Sequence, residues 1–266
     1  MFSGPVASTA IVFLAGGLLA GTSKLQPPSG IPIEAAFGSA VALRDGLAAI
    51  GAPRELDSTG RQAGAVYIRK LDGSQSWRLT PSDAATRFQF GKTLAMDGEV
   101  LVVGANLAAY VFRLTGGVWA EEAKFEQSSC EGRFGEAVAV DGDRMAVGAP
   151  LLACVQESLK GHVFLYRRVS GVWQLDRKLG GGSTTVGDYY GRSVALDGDL
   201  LAVGAPYSSK VHVYRHDGAK WLEESGLVQP PSNFGWDLVY RDGRLVVGAP
   251  GDATLQQGSG AAFVYR

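Results

Sequence analysis

The sequence has little charge and little chemistry of the usual catalytic kinds. Charged residues make up 19% of the 266 residues, and 25 basic residues nearly cancel 26 acidic ones, for a net charge of -1. Such a balance offers no basic field for a nucleic acid. There are three histidines, two cysteines and three methionines. His162, His212 and His216 lack the H-x-x-x-H or Cys/His spacing of a zinc site. No G-x-S-x-G elbow and no P-loop occurs, and Gly180-Gly181-Gly182-Ser183 is a loop with no helical pattern after it, which excludes a phosphate cradle. No apolar run reaches the ~20 residues that a membrane span needs. The longest, Ala10–Ala20, has the length of a signal h-region and is followed by small residues, although no Lys or Arg precedes it. Residues 1–23 are read as a candidate signal peptide, with a strand over Ile11–Leu14 as the alternative.

What the chain has in excess is glycine: 37 residues, about twice the usual share of ~7%. The glycines are ordered. Phe37-Gly38, Phe90-Gly91, Phe134-Gly135, Tyr190-Gly191 and Phe234-Gly235 are each followed by Gly-Ala, at Gly51, Gly104, Gly148, Gly204 and Gly248, and the separation is 13 residues every time. An Asp-Gly pair lies between the two glycines: Asp45-Gly46, Asp97-Gly98, Asp141-Gly142, Asp197-Gly198 and Asp242-Gly243. Asp-Gly between alternating apolar residues predicts a β-hairpin. In the first and fifth copies the pair comes one residue later, which suggests a longer, bulged turn. A third strand follows, as in Val66-Tyr67-Ile68-Arg69 and His212-Val213-Tyr214-Arg215, and then a fourth marked by Trp77, Trp119, Trp173 or Trp221. Units of four strands recur at 53, 44, 56 and 44 residues. That pattern predicts an all-β chain of about five four-stranded antiparallel blades, a β-propeller.

Phe-Gly, then Gly-Ala-Pro at fixed spacing, then a Val-Tyr strand resembles the FG-GAP repeat, which builds the N-terminal propeller of integrin α subunits and occurs in bacterial surface proteins. The resemblance covers residues 24–266. It implies a propeller that uses one face for ligands, although integrin α propellers have seven blades and five repeats are present here. The last repeat stops at Arg266, after its third strand. Lys24-Leu25-Gln26-Pro27-Pro28-Ser29 resembles Leu227-Val228-Gln229-Pro230-Pro231-Ser232, the end of a fourth strand. The N-terminal segment is therefore expected to supply the missing strand and close the ring. Calcium-binding members carry a D-x-D-x-D-G loop, whereas Asp141-Gly142-Asp143 and Asp197-Gly198-Asp199 offer two carboxylates each, so neither a metal nor another cofactor is expected.

The loops after Gly-Ala-Pro and before Phe-Gly differ in length and emerge on one face, where recognition usually lies. Arg54, Arg61, Arg87, Arg133, Asp188 and Tyr189 are the candidate ligand contacts. Cys130 and Cys154 flank one hairpin symmetrically and are expected to form a disulfide. These readings favour a secreted or surface-exposed, non-catalytic, monomeric binding and adhesion propeller for a protein or glycan. The alternative is a glycan-processing enzyme using acids such as Glu55, Asp57, Glu131 and Asp188 at the channel mouth.

Overall fold

The computed structural model describes residues 24–83, 89–126, 133–151, 161–180, 187–229, 232–254, 256 and 259–266. Each repeat folds as an antiparallel meander. Blade one comprises β1 (Val41–Arg44), β2 (Leu47–Ala52), β3 (Ala65–Lys70) and β4 (Ser76–Leu79). Blade two comprises β5 (Thr93–Asp97), β6 (Val100–Ala105), β7 (Ala108–Thr115) and β8 (Val118–Glu126). Blade three comprises β9 (Ala137–Asp141), β10 (Arg144–Ala149), β11 (His162–Val169) and β12 (Val172–Gly180). Blade four comprises β13 (Ser193–Asp197), β14 (Leu200–Ala205), β15 (Lys210–His216) and β16 (Trp221–Val228). Blade five comprises β17 (Leu238–Arg241), β18 (Arg244–Ala249) and β19 (Ala261–Tyr265). Two 3-10 turns, Ile33–Ala35 and Pro206–Ser208, are the only helical turns among the described residues, and no helix there is long and apolar enough to cross a membrane.

The hairpin turns correct one expectation. All five first hairpins close with two residues, since Arg44 pairs with Leu47, Asp97 with Val100 and Arg241 with Arg244. In blades one and five both turn residues have positive φ (Asp45 48° and Gly46 76°; Asp242 50° and Gly243 71°), the type I′ pattern. In blades two to four only Gly98, Gly142 and Gly198 do, the type II′ pattern. The turn position is constant. The Asp-Gly pair slides by one residue across it because Asp tolerates the left-handed region.

The first strands are the inner ones: β1, β5, β9, β13 and β17 follow one another around an axis. Between each pair of consecutive blades lies an apolar core. The repeat aromatics Phe90, Phe134, Tyr190 and Phe234 are fully buried at these four joints. The glycines explain the close approach. A Cβ built on Gly51, Gly104, Gly148 or Gly204 would lie 2.0, 2.3, 2.1 and 2.1 Å from the carbonyl oxygen of Gly91, Gly135, Gly191 and Gly235, respectively, on the next blade. Carboxylates stitch the opposite rim: Asp97 Oδ2 accepts from Gly142 N and Asp141 Oδ2 from Gly198 N, each at 2.8 Å.

The expected closing strand is not formed among the described residues. Residues 24–28 carry no strand, and β19 pairs only with β18. Pro27 and Pro28 have no N–H to give a ladder. The segment after them instead lies over blade one, where Pro28–Pro32 share an open cavity with Glu55, Tyr67 and Trp77. Among the described residues the inner strands β17 and β1 do not pack as the four consecutive pairs do, and the five blades stand in a propeller arrangement.

Candidate functional site

The two-residue first hairpins make that part of the carboxylate-stitched face short and uniform, whereas the third-to-fourth connections on it span residues 71–75 in blade one and 217–220 in blade four. The other face carries the loops from second to third strands and the lead-ins to the inner strands. The residue after each aromatic-Gly pair lies one or two positions before an inner strand, and its identity changes from blade to blade: Ser39, Lys92, Glu136, Arg192 and Trp236. Lys92 Nζ lies 2.8 Å from Glu136 Oε2 and 3.5 Å from Asn106 Oδ1. Arg133 Nη1 stands 3.8 Å from Glu136 Oε1. Arg192 places its guanidinium 4.8 Å above the Trp236 ring, a cation–π contact. The rim thus offers paired charges over blades two and three and a flat aromatic-cation surface over blades four and five.

The anticipated residues are distributed over three blades. Arg54 and Arg61 are exposed on the β2–β3 loop of blade one. That loop is ordered by Asp57, whose Oδ1 accepts from Thr59 N, Thr59 Oγ1 and Arg61 N at 2.8, 2.6 and 3.0 Å. The Thr59 hydroxyl, followed by the Arg61 amide, holds its carboxyl below the usual range. Arg133 joins the Glu136 pair described above. Tyr189, at φ 61°, packs its ring 4.3 Å from that of Tyr207, which is 56% exposed. Asp188 is not a surface contact. It is 2% exposed, and its Oδ1 accepts from Tyr190 N at 3.2 Å. Arg87, Glu131, Cys130 and Cys154 lie outside the described residues, as do residues 1–23.

Glu55, considered as a channel acid, is 6% exposed and committed. It pairs with Arg78 Nη2 at 2.7 Å and accepts from the Tyr67 hydroxyl at 2.7 Å. Burial, reinforced by Glu55, pushes the Tyr67 phenol up to about 12. Lys92, Glu136, Arg192, Trp236 and Tyr207 were missed by the sequence reading. The signal was there for the first four, a variable residue directly after the repeated aromatic-Gly pair, while Tyr207 directly follows Gly204-Ala205-Pro206.

Blade four departs from the others inside its joint. His212 replaces the Tyr or Phe of other third strands and meets Tyr190 edge-on at 5.0 Å. Tyr190 Oη lies 2.9 Å from Tyr214 Oη, and His212 Nδ1 lies 2.7 Å from Glu223 Oε1. Its Nε2 has no partner among the described residues. Burial pulls the imidazole below its ordinary value, and the bond to Glu223 offsets this only in part. A depressed imidazole contributes stability that is complete above the unfolded value of about 6.5 and is lost as pH falls from there through the folded value. His212→Phe, which restores the aromatic of the other blades, should therefore lose less melting temperature than the unsubstituted chain between about pH 7 and about pH 5. Parallel losses in the two proteins would contradict a neutral, buried His212.

The FG-GAP repeat family model matches residues 74–112 and 173–219. No curated protein matches the sequence. Among solved structures, a chain of the nidogen/laminin complex is 8% identical, covering 82% of this chain and 73% of that one at a TM-score of 0.50. A candidate 6-phosphogluconolactonase from Bacteroides uniformis ATCC 8492 is 10% identical, covering 85% and 70% at a TM-score of 0.54. At such identities the likeness is one of fold alone.

Proposed function

We propose that this chain, which is an FG-GAP repeat propeller, is a non-catalytic binding module that recognises a protein or glycan through its loop face. The carrying observation is the division of labour between the two faces. On the hairpin face Asp97 and Asp141 are used in joining blades. On the loop face Lys92–Glu136, Arg192–Trp236 and Tyr189–Tyr207 present partly exposed charge and aromatic surface around one axis. Aromatic rings and arginine are the groups that supply most contact energy at recognition surfaces. The loop-borne Glu55 is occupied by Arg78 and Tyr67, which speaks for binding over acid–base work. A secreted or cell-surface location accompanies this reading.

The test is a screen of the purified chain on glycan arrays and on immobilised extracellular-matrix proteins. With a ligand in hand, Trp236→Ala and Arg133→Ala should weaken binding by about tenfold or more. Asp143→Ala, on the hairpin face, should leave it unchanged. The opposite pattern would move the site to the hairpin face. Turnover of an array glycan would replace the binding module with an enzyme.

A further inference from the structure

We infer that the joint between blades three and four is an acid-released latch, in which His216 of blade four holds Arg144 of blade three only while its imidazole is neutral. The geometry fixes the protonation state. His216 Nδ1 accepts from the Gly218 N–H at 3.1 Å and faces Arg144 Nη2 at 3.3 Å. A backbone N–H and a guanidinium can only donate, so Nδ1 must present its lone pair to both. A proton at Nδ1 would leave only donors facing one another and set a second positive charge against the guanidinium. Histidine is the side chain that gains such a proton between about pH 8 and about pH 5.

The preceding joint is latched differently. His216 stands opposite Trp221 in blade four, as Arg168 stands opposite Trp173 in blade three. Arg168 reaches back to Glu122 of blade two, a cation on an anion. Between blades three and four the cation belongs to the earlier blade, and the later blade offers a neutral ring. Arg144 spans the gap. Its Nη1 donates to Gly198 O at 3.0 Å, and its guanidinium lies 5.8 Å from the centre of the Trp221 ring. The same indole meets His216 edge-on at 5.1 Å. One titrating ring is thus built into a contact that elsewhere uses fixed charge.

The charged groups around His216 decide what protonation does. On its own blade, Arg215 is held by Asp199 and Glu224, and Asp217 Oδ1 accepts from Ala219 N and Lys220 N. Asp217 is the acid that feels the charge of His216. On blade three, Asp141 is taken by Gly198 N, and Arg177 Nη1 donates to Trp221 O at 3.5 Å. Arg144 lines a water-sized chamber of about 10 Å³ together with Arg167, Asp176 and Trp221. Asp176 therefore gives a released Arg144 another partner. The two states are Arg144 on His216 across the joint, and Arg144 toward Asp176 with His216 toward Asp217, each within its own blade.

Hydrogen exchange read by mass spectrometry at pH 7 and pH 5, corrected for the intrinsic rate, tests the inference on the whole chain. Between the two, β15 should lose about tenfold more protection than β7, the same strand of blade two, which is the scale of one hydrogen bond to a charged group. His216→Gln keeps an acceptor for Arg144 that does not titrate. Its β15 should lose at least about threefold less than that of the unsubstituted chain. His212 is common to both proteins, so the difference belongs to His216. Arg144→Met should lower β15 protection already at pH 7 and remove most of the further loss at pH 5. A β15 that keeps its protection at pH 5, or that loses it equally in the His216→Gln chain, would overturn the proposal.

Discussion

Gly148→Ala should cost the folded chain about 3 kcal/mol, at the upper end for overpacked interiors. The added methyl would sit 2.1 Å from the Gly191 carbonyl oxygen and 3.1 Å from its carbon. Neither neighbour can yield. Gly191 is held at φ 87° and donates its N–H to Gly204 O at 3.0 Å, and Tyr190 before it is fully buried. Relief requires two blades to separate, which opens the core containing Ala146, Leu165 and Leu201. For a chain of this size the melting temperature should fall by roughly 6–12 °C. Gly248→Ala is the control. Measured on dilute chain, it should be neutral or slightly stabilising, because alanine narrows the unfolded ensemble. Equal losses at the two positions would mean that glycine serves backbone conformation at both and the inter-blade contact at neither.

Glu122→Leu should be the next most damaging change, at about 2–3 kcal/mol. Glu122 is the extra residue of a bulge, where Val111 pairs with Ala123 but Phe112 pairs with Glu121. The bulge turns its carboxylate toward four donors on two blades: Arg113 Nε at 3.0 Å, Arg168 Nε and Nη2 at 2.8 and 2.6 Å, and Trp173 Nε1 at 3.1 Å. Burial alone raises this carboxyl, but the bonds from Arg168, Trp173 and Arg113 outweigh it and hold it below the usual range. A depressed carboxyl contributes stability that is present above its unfolded value of about 4.3 and is lost as pH falls through the folded one. The stability gap between the two proteins, read by denaturant melts, should thus narrow from about pH 7 to about pH 3. A gap independent of pH would assign the loss to packing. Glu224, at the same bulge position in blade four, bonds Arg215 at 2.7 Å on an exposed edge, and its replacement should matter little.

Strand order was legible because the first three strands repeat five times and the fourth four times against fixed glycines, so a local ambiguity in one copy was resolved by the others. The bulged acids were not legible. Glu122 sits among polar residues on a solvent-facing strand, and only the register shift aims it at a neighbouring blade. The Asp-Gly pair misled in blades one and five because it marks a turn without saying which of its residues stand within it. The strand expected over residues 24–27 did not form for a different reason: the prolines at 27 and 28 have no N–H to give a ladder. Of the proposed site, Arg133 and Tyr189 were singled out from the sequence because variable loops stand out. Trp236 and Arg192 were overlooked because they stand in the short lead-ins between the Gly of the repeat and the inner strands.

Because each consecutive pair of described blades meets through one glycine–carbonyl contact, stability is distributed joint by joint. Strands enclosed between two blades, such as β10 and β14, should therefore keep their amide protons in exchange with solvent far longer than the exposed outer strand β16.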